Sequence, residues 1–344
     1  MNRIGRIRRL PAFALATMSL ALLPTLLPGP TMQSLTAAVA QTPKLTLKLA
    51  HFAAESHPAH VAALQLKKNV EARTGGAVVI EIFPANQLGA PPEQVEQTTL
   101  GVIDMSLPTQ GALDKYEKAF ATVMTPYAFR DYADAHRVLD GPFHDWVAPL
   151  IEKKGLVMLS TWEYGFRNVT NSKRPINGPA DMKGLKIRTP PEIQIVAAME
   201  AAGASATQIA FPELPSALNQ GVVDGQENPL GVIYHFKLHE MQKHLALTQH
   251  VYNSMTHVVS TASWKKLSAP QQAILREESR SAALLMRKLV VDEEQANLKA
   301  IMAAGVQVTR PDNAQFKALM QPAYDRVGAY AGKDNMAVFL KLLK

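Results

Sequence analysis

Cysteine is missing from all 344 residues. No disulfide, thiolate nucleophile or cysteine metal site can form, so cysteine usage says nothing about the redox compartment. Aromatic residues are sparse at 6%, and charged residues make up 19%. The chain has no Gly-rich dinucleotide loop, no phosphate loop and no Gly-x-Ser-x-Gly elbow, which removes the usual fingerprints of nucleotide binding and of a serine nucleophile. His239-Glu240 opens like a zinc-protease helix, but position 243 is lysine and His244 falls one residue late. Acidic residues are absent until Glu55, and the only basic residues of the first 40 positions are four arginines. The formal charge of +7 therefore misleads: without that segment, 32 basic side chains face 29 acidic ones. Clustered Lys and Arg of the kind that track a phosphate backbone do not occur, so no nucleic-acid partner is expected.

The amino terminus has a plan of its own. Arg3, Arg6, Arg8 and Arg9 precede an apolar run from Ala12 to Leu27, broken by Pro24, and small residues end in Ala38-Val39-Ala40. A basic stretch, a short apolar core and an A-x-A site predict a cleaved export signal over 1–40 and a periplasmic mature chain from about Gln41. A membrane anchor would need about 20 uninterrupted apolar residues. Arg8-Arg9 leaves twin-arginine export open beside the general route. No second apolar run is long enough to cross a bilayer.

Beyond the signal, strands alternate with helices. Lys44 to Ala50 alternates as a strand, Pro58 to Arg73 reads as a helix stopped by Gly75-Gly76, and Val78 to Phe83 is a second strand. The expected apolar positions of that helix are Val61, Leu64, Leu66 and Val70. Pro92 to Leu100 is a short helix and Val102 to Leu107 a third strand. After residue 165 the pattern returns: strand Leu185–Arg188, helix Glu192–Ala202, helix Glu213–Gln220, then Val222–Gln226 leading into a turn. This alternation predicts an α/β fold with a mainly parallel sheet covered on both faces. The halves echo each other. Glu93 is followed eight residues later by Gly101-Val102-Ile103-Asp104, and Glu213, 120 positions on, by Gly221-Val222-Val223-Asp224. Two similar lobes follow from this. Pro270 to Ala304 reads as one helix with Ile274, Leu284, Leu285, Leu289, Ile301 and Met302 as apolar positions. At 1.5 Å per residue it would be roughly 50 Å long, enough to span both lobes. The remainder, Asn313 to Lys344, reads as helical.

Arg188 stands at the carboxyl end of a strand, where open α/β sheets bind ligands. Its guanidinium is a fixed fork of donors that suits a carboxylate; the bland alternative is a surface arginine closing a strand. Arg167 lies among aromatics in Trp162-Glu163-Tyr164-Gly165-Phe166-Arg167 and could equally belong to a packing cluster. Asn228, before Pro229, can donate to a carboxylate and accept from a hydroxyl; alone it would be a turn residue.

Four segments in order carry a resemblance. Gly165-Phe166-Arg167, Lys183-Gly184-Leu185-Lys186-Ile187-Arg188, Phe211-Pro212-Glu213 and Gly221 to Pro229 resemble the extracytoplasmic solute receptors of TRAP transporters, dicarboxylate-receptor type. That resemblance implies a two-lobed periplasmic binding protein fold with a long helix spanning both lobes. Lobe I would comprise 41–164 plus about 254–290, and lobe II 165–253 plus about 291–344. It implies a receptor, not an enzyme, that captures a small organic acid (a dicarboxylate or sugar acid) and delivers it as a monomer to TRAP membrane permease subunits. Arg188 would make the main ion pair with the ligand carboxylate, Arg167 and Asn228 would complete the clamp, and Phe211 would pack on the ligand's carbon skeleton. The Asn-Pro ending differs from the keto-acid receptors that use a metal there, so no metal and no cofactor are expected. The loop after the first strand faces the cleft in that family, which offers Glu55 as a contact for ligand hydroxyls; a local helix-cap role or a metal role with two nearby histidines are the alternatives. Two rival functions remain at this stage. A secreted α/β hydrolase would need a nucleophile with its base, and an ABC-type binding protein or chemoreceptor ligand module would lack the long helix and the Gln-Glu-Asn-Pro segment.

Overall fold

Leucines 47 and 49 alternate with solvent-facing Thr46 and Lys48 to form β1 (Leu45–Ala50) in the computed structural model, which describes residues 44–344. The expected export signal lies outside the described residues. The helix Pro58–Arg73 has the expected span. Pro58 occupies its first turn, where a missing N–H costs nothing, and the His57 ring accepts from Ala59 N–H at 3.1 Å. Its buried face is not the expected one. Ala59, Ala62, Ala63, Leu66 and Val70 point inward, whereas Val61 and Leu64 are exposed. Small side chains let this helix lie close against the long helix, and counting only large residues overlooks them.

Two sheets organise the chain. The first has order β2-β1-β3-β10-β4, with β2 (Val78–Phe83) and β3 (Met105–Ser106) parallel to β1 and with β10 (Tyr252–Ser260) antiparallel to both β3 and β4 (Leu156–Phe166). The second has order β11-β9-β5-β8-β6-β7. Here β6 (Lys186–Thr189) runs parallel to β7 (Ser205–Gln208) and to β8 (Gly225–Asn228). β5 (Asn168–Asn171) is antiparallel to β8 and to β9 (His244–Ala246), and β11 (Gln307–Thr309) closes the edge beside β9.

Two expected elements shift. The third strand is only two residues long, because Gly101 (φ +74°) ends the preceding helix and Val102 and Ile103 both donate to Gln97 O, leaving Val102 exposed. The segment Gln226-Glu227-Asn228 is strand rather than turn; the turn is Gly221–Asp224, and β8 is buried throughout.

The sheets exchange chain at one place. A single residue, Arg167, separates β4 from β5. The returning segment pairs with it there: Arg167 N–H donates to Val251 O at 2.9 Å, and His250 N–H donates to Arg167 O at 3.2 Å. The long helix Ala269–Ala303 links the two halves again. Its Leu275, Ala282 and Met286 join the core over the first sheet, and Leu298 and Ile301 pack with Ile233 and Leu245 beside the second. Leu284 and Met302, expected as apolar contacts, are exposed. The tail forms three helices and divides its loyalties. Gln321–Ala331 contributes Ala323 to the core beside the second sheet, whereas Lys333–Leu342 buries Phe339 among Phe120, Phe129 and Phe143 on the first. No described helix is long and apolar enough to cross a membrane.

Candidate ligand-binding site

The carboxyl ends of β1 and β6, the β4–β5 crossing and the end of β8 converge on a cavity of about 170 Å³. Phe52, Tyr164, Arg167, Arg188, Phe211 and Asn228 line it. Four of the five residues singled out from sequence thus meet at one place.

Arg188 is the penultimate residue of β6 and is 1% exposed. Its Nε donates to Ile209 O at 2.9 Å, and its two terminal nitrogens have no partner among the described residues. No carboxylate pairs with it there. Burial pushes its pKa down to about 10, with Arg167 adding to the effect and Glu227 opposing it. It therefore stays charged at neutral pH. A buried cation without a counter-ion is costly, and an anion entering the cavity would relieve that cost.

Arg167 is differently placed. It is 2% exposed, but Glu227 holds it in a fork: Nε to Oε2 at 2.5 Å and Nη2 to Oε1 at 2.7 Å. Nη2 also reaches Glu227 O and Asn228 Oδ1, at 2.9 and 3.1 Å. Only Nη1 remains uncommitted among the described residues. Burial works against this arginine's charge, yet Glu227 prevails and raises its pKa above the ordinary value. For Glu227 burial pulls upward, and the Arg167 charge and hydrogen bonds hold the carboxyl below its usual range. The Asn228 amide is committed as well. Its Oδ1 accepts from Tyr164 OH at 3.2 Å, and its Nδ2 donates to Gln226 Oε1 at 2.6 Å. Arg188, expected to lead the clamp, is thus a free arginine beside a pre-ordered Arg167–Glu227–Asn228 frame.

Phe211 forms part of the apolar wall. Its ring meets Phe52 and Phe236 edge-on at 5.7 and 4.8 Å, and the Arg188 guanidinium lies 5.7 Å from its centroid. Glu55 is the exception. It is exposed and faces a separate shallow groove with His60 and Lys67, away from Arg188. The cap at that loop belongs to His57, and His51 Nε2 meets His60 Nδ1 at 3.2 Å rather than Glu55.

Sequence reasoning missed Glu227, Glu192, Thr109, Phe52 and Tyr164. Glu227 carried a signal: two arginines in one buried place demand an acidic partner, and it stood inside the quoted Gln-Glu-Asn-Pro segment. Phe52, Tyr164 and Thr109 carried none, because their inward direction depends on how the loops return.

The family model described as bacterial extracellular solute-binding protein, family 7, matches residues 49–330. The chain belongs to that family. Within it, a solute-binding protein of Verminephrobacter eiseniae is 36% identical, covering 86% of this chain and 88% of the relative. The 2,3-diketo-L-gulonate-binding periplasmic protein of Escherichia coli is 33% identical, covering 76% and 80%. Among solved family structures, a TRAP periplasmic solute-binding protein of Polaromonas sp. JS666 bound to D-erythronate superposes with a TM-score of 0.83 at 34% identity, covering 86% of this chain and 98% of that one. The TRAP resemblance carried by the four ordered segments therefore holds, and the two-sheet architecture is that of two-lobed TRAP receptors.

Proposed function

We propose that this family 7 protein is the extracytoplasmic receptor of a TRAP transporter, that it binds a small organic acid through its carboxylate, and that it delivers the acid to a two-part membrane permease. The observation that carries this reading is Arg188: a buried, charged, unpaired guanidinium lining a cavity with an aromatic wall. Arg188 takes the carboxylate bidentately. Arg167 adds its free Nη1, held in place by Glu227. Asn228 and Tyr164 set the polar edge, and Phe52 and Phe211 cover the carbon chain. Nothing in this arrangement requires a bond to be made or broken, so binding alone is the proposed activity. Related proteins named as periplasmic support an envelope location, with 1–40 as its export signal.

The lobes follow the sheets, with lobe I near 41–164 plus 254–290 and lobe II near 165–253 plus 291–344. The paired crossing at Arg167 and Val251 is where they would turn relative to one another. Closure is favoured only by contacts the closed form adds, and shedding water strengthens the Arg188 ion pair. A thermal-shift screen of the mature chain against monocarboxylates, dicarboxylates and sugar acids tests the proposal. At least one acid should raise the melting temperature in a concentration-dependent way, and Arg188→Ala should abolish that shift. No shift with any carboxylate would overturn the reading, and so would turnover of a bound acid into product.

A further inference from the structure

We infer that Glu192 is the specificity-determining residue of this site, that it accepts a hydrogen bond from a ligand hydroxyl, and that it thereby selects hydroxy monocarboxylates against dicarboxylates. The inference rests on the carboxylate-binding reading above and narrows its ligand class.

Glu192 follows Pro190-Pro191 after β6 and stands just before the helix Ile193–Ala201, to which its side chain gives no capping hydrogen bond. It lines the same cavity as Arg188 and is 7% exposed. Its two oxygens are used unequally. Oε1 accepts from Thr109 Oγ1 at 2.7 Å, across the cavity from the first sheet. Oε2 is buried with no partner among the described residues. No cation compensates the carboxylate by contact, because the fork of Arg167 is given to Glu227. The position is also sterically defined. Gly111 faces it so closely that a Cβ there would lie 2.6 Å from Glu192 Cδ and 2.9 Å from Oε2. Glycine at 111 therefore leaves the carboxylate the space it occupies.

A buried acceptor without a donor is a recognition element waiting for one. A ligand whose carboxylate sits on Arg188 can supply that donor from a hydroxyl. A second ligand carboxylate cannot, since it brings negative charge toward negative charge where water is scarce. Selection is then achieved by repulsion as much as by attraction. Burial raises the Glu192 pKa above its ordinary value, Arg167 and the Thr109 bond oppose, and Asp114 and Glu227 add to the rise. A hydroxyl suits either protonation state, since it both donates and accepts.

The test uses four-carbon acids of matched length on the mature chain by calorimetry: D-erythronate, succinate and butyrate. The wild type should bind erythronate at least tenfold more tightly than succinate, with butyrate weak. Glu192→Gln should shrink the erythronate-to-succinate ratio about tenfold, mainly by improving succinate. Gly111→Ala should erode the same ratio by displacing the carboxylate. It keeps the test open if the first variant folds poorly. A wild type that prefers succinate, or a ratio untouched by both variants, overturns the role of Glu192 while the Arg188 reading stands. If none of the three acids binds the wild type, this inference falls, while the carboxylate reading stands or falls with the wider thermal-shift screen.

Discussion

The two sheets are built on one plan and do different jobs. Read from one edge, β2-β1-β3-β10-β4 matches β7-β6-β8-β5-β9, with parallel pairs first and antiparallel pairs after, and β11 added at the end of the second. Equivalent turns precede β3 and β8. Gly101 and Gly221 sit at φ +74° and +68°, and the carboxylates of Asp104 and Asp224 accept from Lys48 N–H and Lys186 N–H at 2.8 and 2.9 Å. The plans part at the strand ends. Ala50 stands beside Ser106 on β1 and β3, where Arg188 stands beside Gln226 on β6 and β8. One half holds the buried charge of Arg188, and the other supplies Phe52, Tyr164 and the Thr109 hydroxyl to the same cavity. The frame thus tolerates different chemistries at equivalent positions, and the two sheets differ where the strands stop.

The largest expected effect breaks this asymmetry at its source. Arg188→Ala should weaken acid binding by roughly 30- to 5000-fold, the cost of losing a buried charge-assisted pair. Arg188→Lys should also weaken it, because an ammonium lacks the fork. Unfolding of the ligand-free Arg188→Ala protein should show stability at or above wild type, since an unpaired buried cation has been removed. A large stability loss with unchanged affinity would reverse the assignment.

Next comes the arginine that is paired. Arg167→Met leaves the buried Glu227 carboxylate without its arginine, with only the His250 ring still in side-chain contact among the described residues, and should cost about 3–5 kcal/mol in denaturant unfolding. Its effect on affinity should be smaller than that of Arg188→Ala. Equal behaviour of the two variants would mean that the frame and the ligand contact cannot be separated.

Acid should act first on the other half. His51, His57 and His257, all beside the first sheet, are pushed down to about 3, chiefly by burial. The unfolded chain takes up these protons below about pH 6.5, and the folded chain refuses them until near pH 3. Stability is therefore intact at pH 7 and is lost progressively as pH falls from about 6.5 toward 3. By pH 5.5 each histidine should cost about 1 kcal/mol. His257→Gln should remove part of the drop measured by urea unfolding, the rest belonging to the other histidines whose pKa burial lowers. A stability flat between pH 7.5 and 5.5 would contradict this.

The smallest effect tests the shared plan itself. Gly101→Ala and Gly221→Ala each force a left-handed residue and should each cost about 1–2 kcal/mol, without changing affinity. A marked inequality between them would show that the two turns are not equivalent.

Much of the frame was legible in the sequence for identifiable reasons. The helix Pro58–Arg73 is bracketed by proline and paired glycines, and the long helix was placed within one residue at each end because no proline or glycine interrupts it. The strands Leu156–Phe166 and Tyr252–Ser260 escaped notice, since they are buried at every position and show no alternation. Arg188, Arg167, Asn228 and Phe211, which line one cavity, were singled out through ordered motifs. Glu55 lines a separate groove, which the sequence did not signal because a loop side chain has no periodicity to fix its direction. Glu192 and Glu227 were passed over because their meaning lies in which charges they leave paired.

β10 lies between β3 and β4 although it follows them by more than a hundred and by some ninety positions in the chain. The helix Pro58–Arg73 likewise waits for Glu277 and Glu278, to which Arg73 binds at 2.7 Å each. Such distant pairings require large loops to close before they are rewarded. Folding should accordingly be slow, and a fragment ending before residue 252 should present the edges of β3 and β4 unpaired and prone to aggregate. A chain delivered amino terminus first cannot complete its first sheet until three quarters of it has arrived, so it remains threadable for most of its delivery.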